Sequence, residues 1–279
     1  MPKERLPKDW NELQSLLYDI PLNPLHQRHR SNYVYRGLGD RNWGLETSLQ
    51  RLGSHYPRVE GPLLRNFVKY ARPAEIPSES LFFRMAVAQH HGLPTRVLDW
   101  TTSPRVALHF ALSNEERFDC DGVIWCIDVV AVRRLLPFRL RQILEQEKAF
   151  VFSVEMLEDY KRLGDLDALR ADGEFVLFFE PPSLDARIVN QAAMLSVTPD
   201  PGLDLREFLL RPENEDLSMR IVVPSHVKWE ARDKLDQDNV MERMLFPGLD
   251  GTSRWLKRYY GSGPGRTANQ GAVRPPPVK

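Results

Sequence analysis

The chain has 279 residues, 42% of them apolar and 27% charged, which is enough to bury a sizeable core and excludes a disordered or fibrous sequence. Lys plus Arg and Asp plus Glu both number 38, so the formal charge is zero and no chain-wide pull toward nucleic acid or anionic lipid exists, although a local basic groove is allowed. The two cysteines, Cys120 and Cys126, cannot build a four-thiolate metal site or a secreted-type disulfide framework. With no apolar leader behind Met1 and no apolar run of about 18 residues, the sequence predicts a reduced, cytoplasmic protein that does not span a membrane.

In chain order, Asp9 to Ile20 carries Trp10, Leu13, Leu16 and Leu17 at helical spacing and predicts an opening amphipathic helix. Asn32 to Gly37 is rich in β-formers and ends in glycine, predicting a strand whose last side chain before the turn is Arg36. Ser80 to His91 predicts a helix stopped by Gly92 and Pro94. Thr95 to Asp99 is of strand length, and Ser103-Pro104 supplies an N-cap and a first-turn proline for a helix over Arg105 to Asn114. Gly122 to Asp128 is an unbroken apolar run, expected as a strand covered on both faces. Arg139 to Lys148 and Val154 to Leu163 predict charged amphipathic helices forming a solvated face, Phe175 to Phe179 and Arg220 to Val223 further strands, and Ser225 to Leu235 and Thr252 to Tyr260 the last helices. The boundaries that follow are a lead-in over 1–32, one mixed domain over 33–260, and a Gly/Pro-rich, disordered tail over 261–279 that is dispensable for folding.

None of the common phosphate-loop, zincin, serine-elbow or CxxC patterns occurs. The densest polar cluster is Gln89 to Pro104, which brings His90, His91, Arg96, Asp99 and Trp100 close in sequence. Adjacent histidines on a helix point about 100° apart and cannot chelate one metal from one face, so one is expected to line a pocket and the other to cap its helix, and no metal site is expected. Arg36 suits either an anionic ligand or an ion pair with a carboxylate such as Glu46, and Asp99 either a ligand or an internal pair with Arg96. Trp100 is expected in the core. Arg187 and Gln191 share a side whether their stretch is helix or strand.

Tyr35-Arg-Gly37, Ala88 to Pro104 with Ala107-Leu-His-Phe-Ala111, Arg187 to Gln191, and Leu245-Phe-Pro-Gly-Leu-Asp-Gly251 resemble, in this order, the landmarks of the FRG-domain family over roughly Tyr33 to Tyr260. The resemblance implies a prokaryotic or phage-borne soluble protein with a role in phage defence or a toxin system, but the family's chemistry does not name a reaction. A weaker, partial resemblance links Tyr35-Arg36-Gly37 to the first strand of arginine-type ADP-ribosyltransferases and Arg187-Ile-x-x-Gln191-Ala-x-Met-Leu to their late strand. It implies an α+β fold with a central, mostly antiparallel split sheet flanked by helices, and a cleft binding a nucleotide, NAD, as substrate for transferase or glycohydrolase chemistry. On that reading Arg36, His90, Gln191 and Glu180 are the catalytic candidates, and Arg36, His90, His91, Arg96, Asp99, Arg187 and Gln191 bind the ligand. The position where the resemblance expects a glutamate is Ala193, with Glu174 and Glu180 the nearest carboxylates in sequence. The alternative is a non-catalytic recognition module for nucleic acid, a signal nucleotide or a protein partner.

Overall fold

The computed structural model describes residues 3–20, 22 and 27–261, so the expected tail lies, from residue 262 on, outside the described residues. The strands are β1 (Lys3–Arg5), β2 (Tyr33–Leu38), β3 (Val97–Thr101), β4 (Gly122–Asp128), β5 (Phe152–Ser153), β6 (Leu177–Glu180), β7 (Ala193–Val197) and β8 (Ser218–Val223). They form one eight-stranded sheet in the order β1-β8-β4-β2-β3-β7-β6-β5, antiparallel except for the outer pairs β1 with β8 and β5 with β6. The fold is a mixed α/β one in which helices flank this sheet, and no helix among the described residues is long and apolar enough to cross a membrane.

Side-chain alternation along the strands separates two faces. Val34, Leu98, Val123, Trp125, Ile127, Phe178 and Met194 share a continuous core on one face. The opposite face carries two separate cores. Tyr35, Ile124, Cys126 and Ile221 pack under the helices Trp10–Leu17, Pro104–Ala111 and Lys228–Gln237, whereas Val97, Leu177, Phe179 and Leu195 pack under Leu81–His90 and Phe138–Gln146. The two cores meet between β2 and β3, where Tyr35 opposite Thr101 is the single registered pair; β2 with β4 has six and β3 with β7 has five. The sheet is continuous but least paired at its centre.

Local chemistry sets the elements around that seam. Ser80 accepts the N–H of Phe83, and Ser103, before Pro104, accepts that of Val106, so both flanking helices start on side-chain caps. Gly37 lets the Pro104–Ala111 helix lie directly on β2: a Cβ there would stand 1.8 Å from the backbone oxygen of Ala107.

Some expectations change. Val154 to Leu163 is not a helix but a short turn over Glu155–Leu157, with Val154, Leu157 and Tyr160 all buried in the core. Arg187 to Gln191 precedes a strand rather than forming one: Ala186–Asn190 is a short helix capped by Asp185, and β7 begins at Ala193.

Candidate functional site

The seam opens into a cleft of about 320 Å³, with Arg36 and Leu38 entering from β2, Asp99 and Thr101 from β3 and Ala193 from β7. Trp43, Arg51, Phe110, Arg187 and Gln191 complete its walls. Arg36 has the parity of Val34 and Leu38, yet its Nη1 crosses the gap and donates to the backbone oxygen of Asp99 at 2.5 Å. Its Nε is buried with no acceptor. Burial pulls the Arg36 guanidinium below its ordinary pKa, the Asp99 carboxylate opposes that shift, and the nearby Arg51 adds to it.

Arg51 binds the backbone oxygen of Glu46 at 3.2 Å, and Arg187 lies over the Phe246 ring at 5.2 Å from its centre. Against these three guanidiniums the cleft sets one carboxylate, Asp99, and that group already accepts from Gln89 Nε2 at 2.7 Å. The lining therefore carries more cationic donors than anionic acceptors, which is the chemistry of an anion site.

A crevice of about 50 Å³ continues from the cleft, sharing Asp99, Arg187, Gln191 and Ala193 with it and adding Gln89 and His90. His90 Nε2 lies 2.9 Å from Asp185 Oδ2. Burial favours the protonated Asp185, but the backbone N–H of Ile188 together with His90 outweighs it and holds the carboxyl below its usual range. Gln191 accepts the Thr101 hydroxyl on its backbone oxygen at 2.6 Å and donates its amide to Leu245 O at 2.9 Å, so it ties β3 to the Glu242–Leu245 helix. Of the sequence candidates, Arg36, Asp99, Arg187 and Gln191 thus meet at the cleft, with His90 in the adjoining crevice.

Three candidates lie elsewhere. His91 faces an apolar groove with Phe67 and Leu93, because consecutive helical residues point in different directions. Arg96 is 2% exposed and forks onto Glu60 at 2.6 and 2.5 Å, with Asp167 and Pro199 O each at 2.7 Å; these acceptors consume it inside the core rather than at the cleft or on Asp99. Glu180 ends β6 opposite Ser153 of the sheet-edge strand β5, two strands from β3, and does not line the cleft. Glu174 pairs with Arg211, and Glu46 is not a partner of Arg36. Trp100 is in the core as expected, its Nε1 donating to Ser196 Oγ at 2.8 Å. Cys126 is buried, which pushes its thiol far up. Among the described residues no group of three or more His, Cys, Asp or Glu gathers to hold a metal.

Arg51, Trp43 and Phe110 were not expected at the cleft. Trp43 comes from the loop after β2 and Arg51 from the single 3₁₀ turn Gln50–Leu52, both too short for periodicity to mark them, but Phe110 belongs to the Ala107 to Ala111 landmark. The last landmark, Leu245 to Gly251, closes the wall behind Gln191. Gly251 sits so tightly on that turn that a Cβ would meet Phe246 O at 1.9 Å. Arg258 then pins the final helix by pairing with Glu242 and Asp236, both at 2.7 Å.

Fold and cleft together define an α/β protein with a cationic cleft at the weakly paired centre of its sheet. Residues 31–120 match the family model of the FRG domain, and an FRG domain is present there. The matched span carries β2, β3, Arg36, Arg51, His90, Asp99 and Phe110, whereas Arg187, Gln191 and Ala193 are supplied from outside it. Comparisons with curated proteins and with solved structures give no match.

Proposed function

We propose that the seam cleft binds a phosphate-bearing nucleotide, with NAD as the first ligand to test. The observation that carries this reading is the imbalance of charge: Arg36, Arg51 and Arg187 face one cleft that Asp99 lines as the single carboxylate among the described residues, an excess of two positive charges. Arginine presents a planar donor fork to phosphate oxygens, and the walls of Trp43 and Phe110 offer flat apolar surface to a base. Recognition is favoured over ADP-ribosyl transfer, because Ala193, at the position where the transferase resemblance expects a glutamate, lines the cleft without a carboxylate. The prokaryotic, cytoplasmic, defence or toxin setting implied by family resemblance belongs to the same proposal.

The test is calorimetric titration of the full chain with NAD, ADP-ribose and ADP, run beside an assay of nicotinamide release. The expected result is saturable, salt-sensitive binding without release of nicotinamide. Steady release that depends on Arg36 would turn the reading to glycohydrolase or transferase chemistry. Absence of binding by every phosphate-bearing ligand at millimolar concentration would remove the nucleotide reading.

A further inference from the structure

The Tyr56–Tyr70 helix buries only Glu60 and leaves a groove along each flank. One groove, of about 680 Å³, is apolar and offers nothing to select an occupant. The other, of about 450 Å³, has a definite chemistry. Its floor is Leu64, Val68, Leu81 and Leu163, of which Leu81 belongs to the core and Leu64 and Leu163 pack against it. Its rim is Arg65, Arg84, Lys161 and Arg162, and no carboxylate lines it.

Little inside the molecule neutralises that rim. Arg84 Nε is buried without an acceptor. Lys161 meets Glu79 only at 3.6 Å, between two largely exposed side chains. Asp165 interacts with Arg162 by charge but forms no side-chain ion pair with it, its Oδ2 accepting the backbone N–H groups of Lys161 and Arg162, each at 2.9 Å. The solvated Lys161–Glu79 pair contributes little.

We propose that this groove docks an acidic amphipathic helix of a partner protein, with apolar anchors on the floor and Glu or Asp side chains on the rim. Charge complementarity carries the choice of occupant: a sunken apolar strip bordered by four cations selects a strip of aliphatic side chains bordered by anions. Gly61 to Val68 spans about 10 Å along the helix axis, the length of roughly two turns of a docked helix. A bilayer is a poorer match, because none of the floor residues is among the large apolar side chains that project from the surface. The surface is separate from the seam cleft, so this proposal does not depend on the nucleotide reading.

The probe is a fluorescein-labelled peptide of about 18 residues with leucines at three- and four-residue spacing and glutamates elsewhere. It is compared with the same peptide carrying lysines for glutamates, with phosphatidylserine vesicles and with a single-stranded oligonucleotide, all against the full chain. The expected result is saturable binding of the glutamate peptide and at least about tenfold weaker binding of the lysine peptide. Arg65→Glu with Arg162→Glu should invert that preference while leaving the thermal midpoint and nucleotide titration unchanged. If the double variant does not fold, the exposed Lys161→Glu should shift the same ratio in the same direction. Leu64→Gln should weaken the glutamate peptide through the floor. Equal or absent binding of the two peptides, tighter binding to vesicles or oligonucleotide, or indifference to charge reversal would each overturn the proposal.

Discussion

Arg36 and Asp99 stand 63 residues apart in sequence, yet the guanidinium of the first binds the backbone oxygen of the second across the one place where the sheet is barely paired. The contact spans the seam from β2 to β3 and holds a half-buried cation of the cleft in position. It makes Arg36 both part of the scaffold and the main candidate for ligand contact.

Arg36→Lys separates these two roles. Lysine keeps the charge but loses the planar fork, so nucleotide affinity should fall by roughly 1.5–3 kcal/mol, about ten- to 150-fold. Urea unfolding should move much less, because Tyr35 still pairs with Thr101 and β2 keeps its full register with β4. A large loss of stability with unchanged affinity would assign Arg36 to the scaffold alone.

Gly37→Ala should damage the fold through sterics. The added methyl would stand 1.8 Å from Ala107 O and 2.8 Å from Ala111 N, both backbone atoms of a packed helix, so the helix must lift from β2. Overpacking of this kind costs about 1–3 kcal/mol or more. Gly164→Ala, where no atom lies within 4 Å of the new Cβ, is the control and should be neutral or slightly stabilising in the same urea titration.

The Arg96–Glu60 pair should behave as a buried ion pair. Glu60→Ala removes both oxygens from a guanidinium that is 2% exposed and should cost about 3–5 kcal/mol. Replacing both residues by methionine should cost less than the single change, because no charge is then left buried without its main partner. A double-mutant cycle measured by chemical denaturation checks this, and additive effects would contradict it.

The sequence makes the strands and the landmark residues legible wherever one local signal suffices. Asn32 to Gly37 reads as a strand because β-formers end at glycine, and β2 runs over Tyr33–Leu38; Ser80 and Ser103 mark helix starts because each caps its own helix. Val154, Leu157 and Tyr160 recur every three residues, a period closer to a 3₁₀ turn than to an α-helix, and only their burial in the core reveals the difference. The Tyr56–Tyr70 helix is hidden by Pro57, Gly61 and Pro62, residues that ordinarily break the pattern, although Pro57 sits harmlessly in its first turn. The polar cluster from Gln89 to Pro104 was readable as a cluster but not as a site. Arg96 turned inward because Glu60, 36 residues earlier, was there to receive it, and such partners cannot be found from spacing. Arg51 reaches the cleft for the same kind of reason: long-range packing brings the short Gln50–Leu52 turn over the seam.

His109 supplies a pH dependence with a definite sign. Its Nδ1 lies 2.8 Å from Arg232 Nη1, and because arginine can only donate, that nitrogen must be the acceptor and the ring neutral. Burial first, then the Arg232 charge, lowers its pKa from 6.5 to about 4. Between those values the unfolded chain binds a proton that the folded chain does not, so the stability due to this group is fully present above 6.5 and is lost as the pH falls toward 4. The loss at the acid end of the window is roughly 3 kcal/mol, as an upper figure. Glu242 acts lower: burial would raise its pKa, but the hydrogen bonds and charge of Arg258 bring it to about 2 from 4.5, so its contribution persists above 4.5 and disappears as the pH falls through about 2. The two groups therefore titrate in nearly separate ranges. Urea unfolding at pH values between about 4.5 and 7 should show a slope in the wild-type chain that His109→Gln flattens, since glutamine offers Arg232 an acceptor that cannot be protonated in that range. An unchanged slope in the variant would show that other groups set the acid sensitivity of the fold.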